Sequence, residues 1–143
     1  MPVRPLTNKD RAQVLTLLGD PRTIDSPSNH LHVAEENGVV VGAVVWVQPS
    51  AGEEALLGAV AAPAGRRDLF YELVKATAED AVSRGFSKAI FTIRRPALLQ
   101  RIERDFTITA EASGWNPTTH QPVQWDVHVD LKDALQQLQQ AGV

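Results

Sequence analysis

The sequence predicts an α/β (α+β) domain: a central mixed, mostly antiparallel sheet with helices on both faces and one β-α-β crossover. Three observations predict it. Asn37-Gly38 sits between two apolar-leaning runs, and this dipeptide accepts the positive φ angles of a tight hairpin turn. The second run, Val39 to Val47, is apolar at nearly every position. A strand covered on both faces has that pattern, so this one belongs at the centre of its sheet. Further on, an apolar run, a long helical segment and another apolar run follow one another, which implies two parallel strands joined by a right-handed crossover.

Taken in order, Pro2 to Leu6 is a short first strand. Thr7 or Asn8 caps a helix running through Leu18, with Val14, Leu15, Leu17 and Leu18 as its buried side; Gly19, Asp20 and Pro21 stop it. Asp20 to Asn29 is expected to be a polar loop. Leu31 to Glu36 and Val39 to Gln48 form the hairpin, and Glu54 to Ala61 the next strand. The long helix spans about Arg66 to Arg84, closed by Gly85 with Phe86 as the apolar contact of a glycine C-cap. Ala89 to Ile93 is a buried strand, and Pro96 opens a short helix through Arg104. Phe106 to Glu111 and Gln124 to Asp130 are strands joined by a loop holding Gly114, Asn116 and Pro117. Leu131, Leu135 and Leu138 form one stripe of an appended helix at about 131–141. No repeat or linker interrupts the chain, so residues 1–143 are expected to form a single domain.

Composition narrows the function. A net charge of -3, with 43% hydrophobic and 22% charged residues, is an ordinary globular balance and gives no general attraction to nucleic acid or an anionic membrane. The absence of cysteine excludes disulfides, thiolate metal sites and a cysteine nucleophile, and fits a reducing compartment. No basic start followed by an apolar run marks a signal peptide, and Val39 to Val47 is too short to cross a bilayer, so a cytoplasmic protein is expected. His30 and His32 share a strand face, but a metal site wants three or four ligands, so none is expected. Trp46, Trp115 and Trp125 lack the basic interleaving of a nucleic-acid surface and are assigned to core or rim.

The hairpin, the third strand and a strand-helix-strand unit opening on Pro63-Ala64-Gly65-Arg66 together resemble the GNAT N-acetyltransferase superfamily over nearly the whole chain. Val39 to Ala43 resembles its central hairpin strand, Glu54 to Pro63 its fourth strand, and Ser83-Arg84-Gly85-Phe86 the end of its cofactor helix. The resemblance implies an acetyl-CoA-dependent acyltransferase that passes the acetyl group directly to an amine, on a small molecule or a peptide. The cofactor would lie where the fourth and fifth strands splay apart.

The same resemblance implies the site residues. The family pattern Gln/Arg-x-x-Gly-x-Gly/Ala holds the CoA pyrophosphate on helix N-terminal amides. Here Arg66-Arg67-Asp68-Leu69-Phe70-Tyr71 stands in its place, with Val60 on the strand before it. Arg66 matches the first position, whereas Leu69 and Tyr71 replace the two small residues. Two arginines at the positive end of a helix dipole cost about 0.3–1 kcal/mol each. A bound anion would remove that cost; alternatively both are solvated and offset by Asp68 and Glu72.

Glu54, six residues before Val60, takes the position of the family's strand glutamate and is the candidate base, with Glu53 as substitute. Backbone N–H groups around Gly58 to Val60 would polarise the thioester carbonyl. Arg101 falls where many members carry a proton-donating tyrosine; an arginine stays charged, so it would stabilise a thiolate only electrostatically. Arg94 and Arg95, just beyond the fifth strand, would hold an acidic group of the acceptor or a CoA phosphate, or else form a solvated basic turn. Leu69, Tyr71 and the missing helix tyrosine favour an alternative: a catalytically inactive GNAT-fold binding or interaction module. The C-terminal leucine stripe needs an apolar partner, either its own core or a second subunit in a homodimer.

Overall fold

The computed structural model describes residues 3–50, 52 and 54–142, with Pro21 and Thr23 described by their backbone alone. Seven strands form one sheet: β1 (Val3–Pro5), β2 (Asn29–Glu36), β3 (Val39–Val47), β4 (Glu54–Ala61), β5 (Lys88–Ile93), β6 (Ile108–Trp115) and β7 (Pro122–Asp130). Their spatial order is β1-β2-β3-β4-β5-β7-β6. Every neighbouring pair is antiparallel except β4 and β5. The helices are α1 (Arg11–Leu18), α2 (Pro21–Asp25), α3 (Arg67–Ser83), α4 (Pro96–Asp105) and α5 (Leu131–Gln140).

Local chemistry sets the hairpin. Asn37 and Gly38 both have positive φ, 53° and 78°, as the turn between β2 and β3 requires. Beyond it, β3 alternates between two apolar layers. Ala43 and Val45 pack with Val14 of α1 and Ile24 of α2, while Val44 and Trp46 face α3. Both faces are covered, which is why polar residues are missing from this strand. Trp46 is fully buried, stacks edge-on against Phe86 and donates its Nε1–H to Asp80 at 2.8 Å. Phe86 reaches this position because the chain turns after α3, where the Phe86 N–H donates to the Ala81 carbonyl at 3.0 Å.

The α5 stripe packs on the chain's own core. Leu131 joins the cluster of Trp46, Ala55 and Phe86, with Leu135 partly buried against it, and Leu138 is 1% exposed.

Three local expectations are corrected. In α1 only Val14 is buried, and Leu15 and Leu17 stay more than one-third exposed. An eight-residue helix turns a narrow stripe to the sheet; Val14 and the partly buried Leu18, four residues apart, fill that stripe. The expected loop after α1 contains α2, begun by Asp20, whose carboxylate accepts from the Arg22 N–H at 2.9 Å. At the far edge, β6 runs to Trp115, well past the expected Glu111, because it remains paired with β7 through two register shifts.

Candidate active site

The site follows from how β4 pairs on its two sides. Toward β5 the parallel pairing covers only Glu54–Lys88, Ala55–Ala89 and Leu56–Ile90, and then stops. Toward β3 the pairing continues to Ala61, with one irregularity: Val45 pairs with Ala59 and Trp46 with Leu57, which leaves Gly58 as an extra residue. Such a bulge bends its strand and increases the local twist. Past it, β4 leaves β5, and β5 stays with β7 as far as Ile93–Trp125. The sheet is therefore split in its middle. Two backbone edges face each other across a gap without pairing.

On the helical face this gap is a cleft of about 250 Å³. Its walls include Val60 of β4, Phe70 and Val74 of α3, Phe91 and Ile93 of β5, and Ile102 of α4. The side chains are apolar, so the polar groups on offer are those of the strand edges. On the opposite face lies a wider cleft of about 690 Å³, reached past Leu57, Gly58 and Phe91, which line both. There Arg94, Arg95, Gln124 and Asp126 border it. The gap thus opens onto two sides, one apolar and one polar.

Scanning the sequence against protein-family models gives no match, and a search of curated protein sequences gives none either. Solved structures do match. The ribosomal-protein-S18-alanine N-acetyltransferase from Escherichia coli superposes with a TM-score of 0.71 at 12% identity, covering 91% of this chain and 93% of that one. Aminoglycoside 6'-acetyltransferase type Ii gives 0.69 at 15% identity, over 92% and 97% of the two chains. A GNAT family acetyltransferase from Elizabethkingia anophelis, solved with acetyl-CoA bound, gives 0.64 at 15% identity, over 90% and 97%. The chain has the GNAT fold.

On this GNAT scaffold the helix that opens with Arg66 borders the cleft, but its first turn is crowded with charge. Arg66 donates to both oxygens of Glu36, at 2.9 and 2.8 Å, and to Asp68 at 3.1 and 3.0 Å. Asp68 is held below the usual carboxylate range, first by Arg66 and then by the backbone N–H groups of Leu69 and of Asp68 itself. A carboxylate therefore stands in the helix's first turn, where an anion would otherwise be favoured. Arg67 pairs with Asp105 at 2.6 Å and lies over the Tyr71 ring, 5.0 Å from its centroid.

The two bulky replacements stay out of the gap. Leu69, fully buried, packs with Ala34, Val44 and Leu73 beneath the sheet. Tyr71 turns toward the end of α4, where its hydroxyl donates to Asp105 and its ring meets Phe106 edge-on at 5.7 Å. Burial, then the Asp105 carboxylate, push the Tyr71 hydroxyl up. The segment's contribution to the cleft wall is Phe70.

Of the catalytic candidates, Glu54 and Arg101 line neither cleft. Arg101 is exposed on α4, about 100° around the helix from the wall residue Ile102. Glu54 starts β4 on the polar face, where its carboxylate meets His128 Nδ1 at 2.9 Å. Glu53 lies outside the described residues. The sequence reading missed His128, which shows no local signal; only the sheet order β4-β5-β7 brings it to Glu54. Its register partner Ile90 lines the polar cleft, so the pair stands one strand step from that cleft. Among the described residues no group of three or more His, Cys, Asp or Glu is placed to hold a metal ion, and no helix is long and apolar enough to cross a membrane.

Proposed function

We propose that this protein is an acetyl-CoA-dependent N-acetyltransferase that transfers directly to an amine acceptor. The reading rests on the split between β4 and β5 beyond Leu56, open to an apolar cleft on one side and a polar cleft on the other. A slot between two unpaired strand edges suits an extended chain carrying amides, which can pair with the edges as an added strand would. The pantetheine arm of CoA is such a chain, and 250 Å³ suits a thin arm better than a nucleotide. Val60, Phe70 and Phe91 would flank it, with the nucleotide end toward Arg66 and Arg67.

Bound there, acetyl-CoA supplies a thioester whose acyl group an amine can take with loss of thiol. The chain's own residues supply the rest. Backbone N–H groups at the Gly58 bulge lie two residues past the last β4–β5 pair and would stabilise negative charge on the carbonyl oxygen. An ammonium must lose a proton before it can react. His128, held through Nδ1 by Glu54, leaves Nε2 to receive that proton through water at the edge of the polar cleft. The acceptor would enter from this side; neighbours of the same fold are named for a ribosomal-protein alanine and an aminoglycoside. A cytoplasmic location fits the absence of cysteine.

One observation favours a second reading, a binding module without catalysis. The Asp68 carboxylate stands in the first turn of the helix, paired with Arg66, so a pyrophosphate there would meet a like charge. Thermal denaturation with acetyl-CoA and with CoA separates the two. At 100 times its dissociation constant a ligand adds about 2.7 kcal/mol of stability, a rise of several degrees. The enzyme reading expects that rise, and release of free thiol when a panel of primary amines is added. A folded protein whose melting temperature ignores both ligands would leave the module.

A further inference from the structure

The polar cleft carries a directional chain of hydrogen bonds with a cation at one end and an anion at the other. Arg94 Nε donates to Gln124 Oε1 at 3.1 Å, Gln124 Nε2 donates to Ser113 Oγ at 3.2 Å, and Ser113 Oγ donates to Asp126 Oδ1 at 3.1 Å. Thr92 Oγ1 adds a weaker contact to the same Asp126 oxygen at 3.3 Å. Gln124 and Ser113 thus link the guanidinium to the carboxylate, and β5, β6 and β7 together place the two charges. Asp126 Oδ2 has no hydrogen-bond partner among the described residues. Gln124 and Asp126 are two residues apart on one strand, which separates the guanidinium held at Gln124 from the carboxylate by about 7 Å.

Neither arginine of the cleft, Arg94 or Arg95, has a carboxylate within ion-pair reach among the described residues. Arg4 and Arg66, by contrast, each have two, and Arg67 has one. Both guanidiniums border the space that meets the split at Leu57 and Gly58. An ammonium ion on its own would be drawn to Asp126 and repelled by the arginines. A molecule carrying both charges, a few ångströms apart, satisfies both ends at once.

We propose that this cleft takes an amine that also bears a carboxylate, an amino acid being the simplest case, with Asp126 receiving the ammonium and Arg94 and Arg95 the acid group. For its chemistry the inference rests on the transferase reading, and it names the acceptor class of that same site. Asp126 lies two residues from His128 on the same face of β7, so an ammonium held there is within a water's reach of the imidazole.

The experiment compares acetyl transfer to free amino acids, to short peptides with a free C-terminal carboxylate, and to the methyl esters and amides of both. Ligand-observed NMR on the cofactor-free protein reads binding of the same compounds. The site predicts that acids are preferred over their esters by about tenfold in kcat/KM, and that Arg94→Gln with Arg95→Gln collapses this preference. Preference for free amino acids over peptides, or the reverse, identifies the source of the carboxylate. If the esters or simple alkyl amines are acetylated as well as the acids, the inference fails while the transferase reading stands. If CoA does not bind but acids still bind, and lose binding in the double arginine variant, the transferase reading fails and the inference stands. Acids that bind equally to the wild type and the double variant, or to neither, overturn it.

Discussion

Asp68 Oδ2 lies 3.0 Å from Arg66 Nη2, at the start of the helix that borders the cleft. The pair explains how two consecutive arginines tolerate the positive end of a helix dipole: Arg66 is neutralised by Glu36 and Asp68, and Arg67 by Asp105. The same arrangement makes Asp68 the competitor of any phosphate at that helix end. Asp68→Asn removes the negative charge and leaves the backbone unchanged. It is expected to tighten CoA binding by about two- to fivefold, the size of one charge at a helix terminus, with the gain shrinking at high salt. Isothermal titration at two salt concentrations checks it; unchanged or weaker binding would show that Asp68 is no obstacle.

That local pairing marks the boundary of what the sequence makes legible. The hairpin could be read because Asn37-Gly38 dictates its own backbone, and β3 because burial on both faces excludes polar residues along the run from Val39 to Val47. The crossover helix and its end were equally local. What could not be read depends on residues distant in sequence. The Gly58 bulge exists only relative to β3, as the residue skipped between Val45–Ala59 and Trp46–Leu57. Glu54 and His128 are 74 positions apart and meet because β7 inserts between β5 and β6. Glu36, the main partner of Arg66, lies 30 positions before it, so the anticipated partner Glu72 took no part. The short helix α2 escaped notice because it is only a few residues long and depends on the Asp20 cap.

Gly42 provides a test of packing that is independent of function. A Cβ there would lie 3.0 Å from the Ala61 carbonyl oxygen and 3.1 Å from Leu73 Cδ1. The carbonyl belongs to the β3–β4 ladder and cannot move without straining that pairing. Gly42→Ala is expected to destabilise by about 1–3 kcal/mol, the usual cost of overpacking a close contact. Thermal melts of the two proteins measure it. A melting temperature equal to the wild type would mean that the sheet and α3 separate more easily than this spacing implies.

Asp10 sets the acid limb of stability. It is 3% exposed and accepts from Arg4 Nη1 at 2.7 Å, Arg4 Nη2 at 3.0 Å, and from Thr7 N and Oγ1 at 2.9 and 2.8 Å. Arg4 above all, and Thr7 after it, hold the carboxyl well below its usual range despite burial. Because the folded value is depressed, the stabilisation is complete above the unfolded value of about 3.9 and is lost as pH falls below it toward the folded value. Asp10→Asn is expected to cost about 1.5–3 kcal/mol at pH 7, the range for hydrogen bonds to a charged group. Urea midpoints at pH 7 and at about pH 3 check the sign: the gap between wild type and variant narrows at the lower pH. A gap that stays constant would assign the effect to shape rather than charge.

His128 and Glu54 carry the last prediction, which concerns the proton rather than the fold. Imidazole Nδ1 sits 2.9 Å from Glu54 Oε2, which orients the ring and leaves Nε2 as the nitrogen to take a proton. His128→Gln keeps a polar side chain there but cannot accept a proton. The expected result is a fall in kcat of about 10²-fold or more, with CoA affinity little changed, because the cofactor cleft does not include this residue. Glu54→Gln keeps the imidazole and loses only the carboxylate that orients it, so a smaller fall in kcat is expected, with the KM for the amine little changed. A fall in kcat at an unchanged melting temperature and KM separates positioning from structure, since a residue needed only for folding would lower the melting temperature as well. If His128→Gln turns over at the wild-type rate across the pH range, the proton leaves by another route, and Asp126, two residues along the same strand, becomes the group to test.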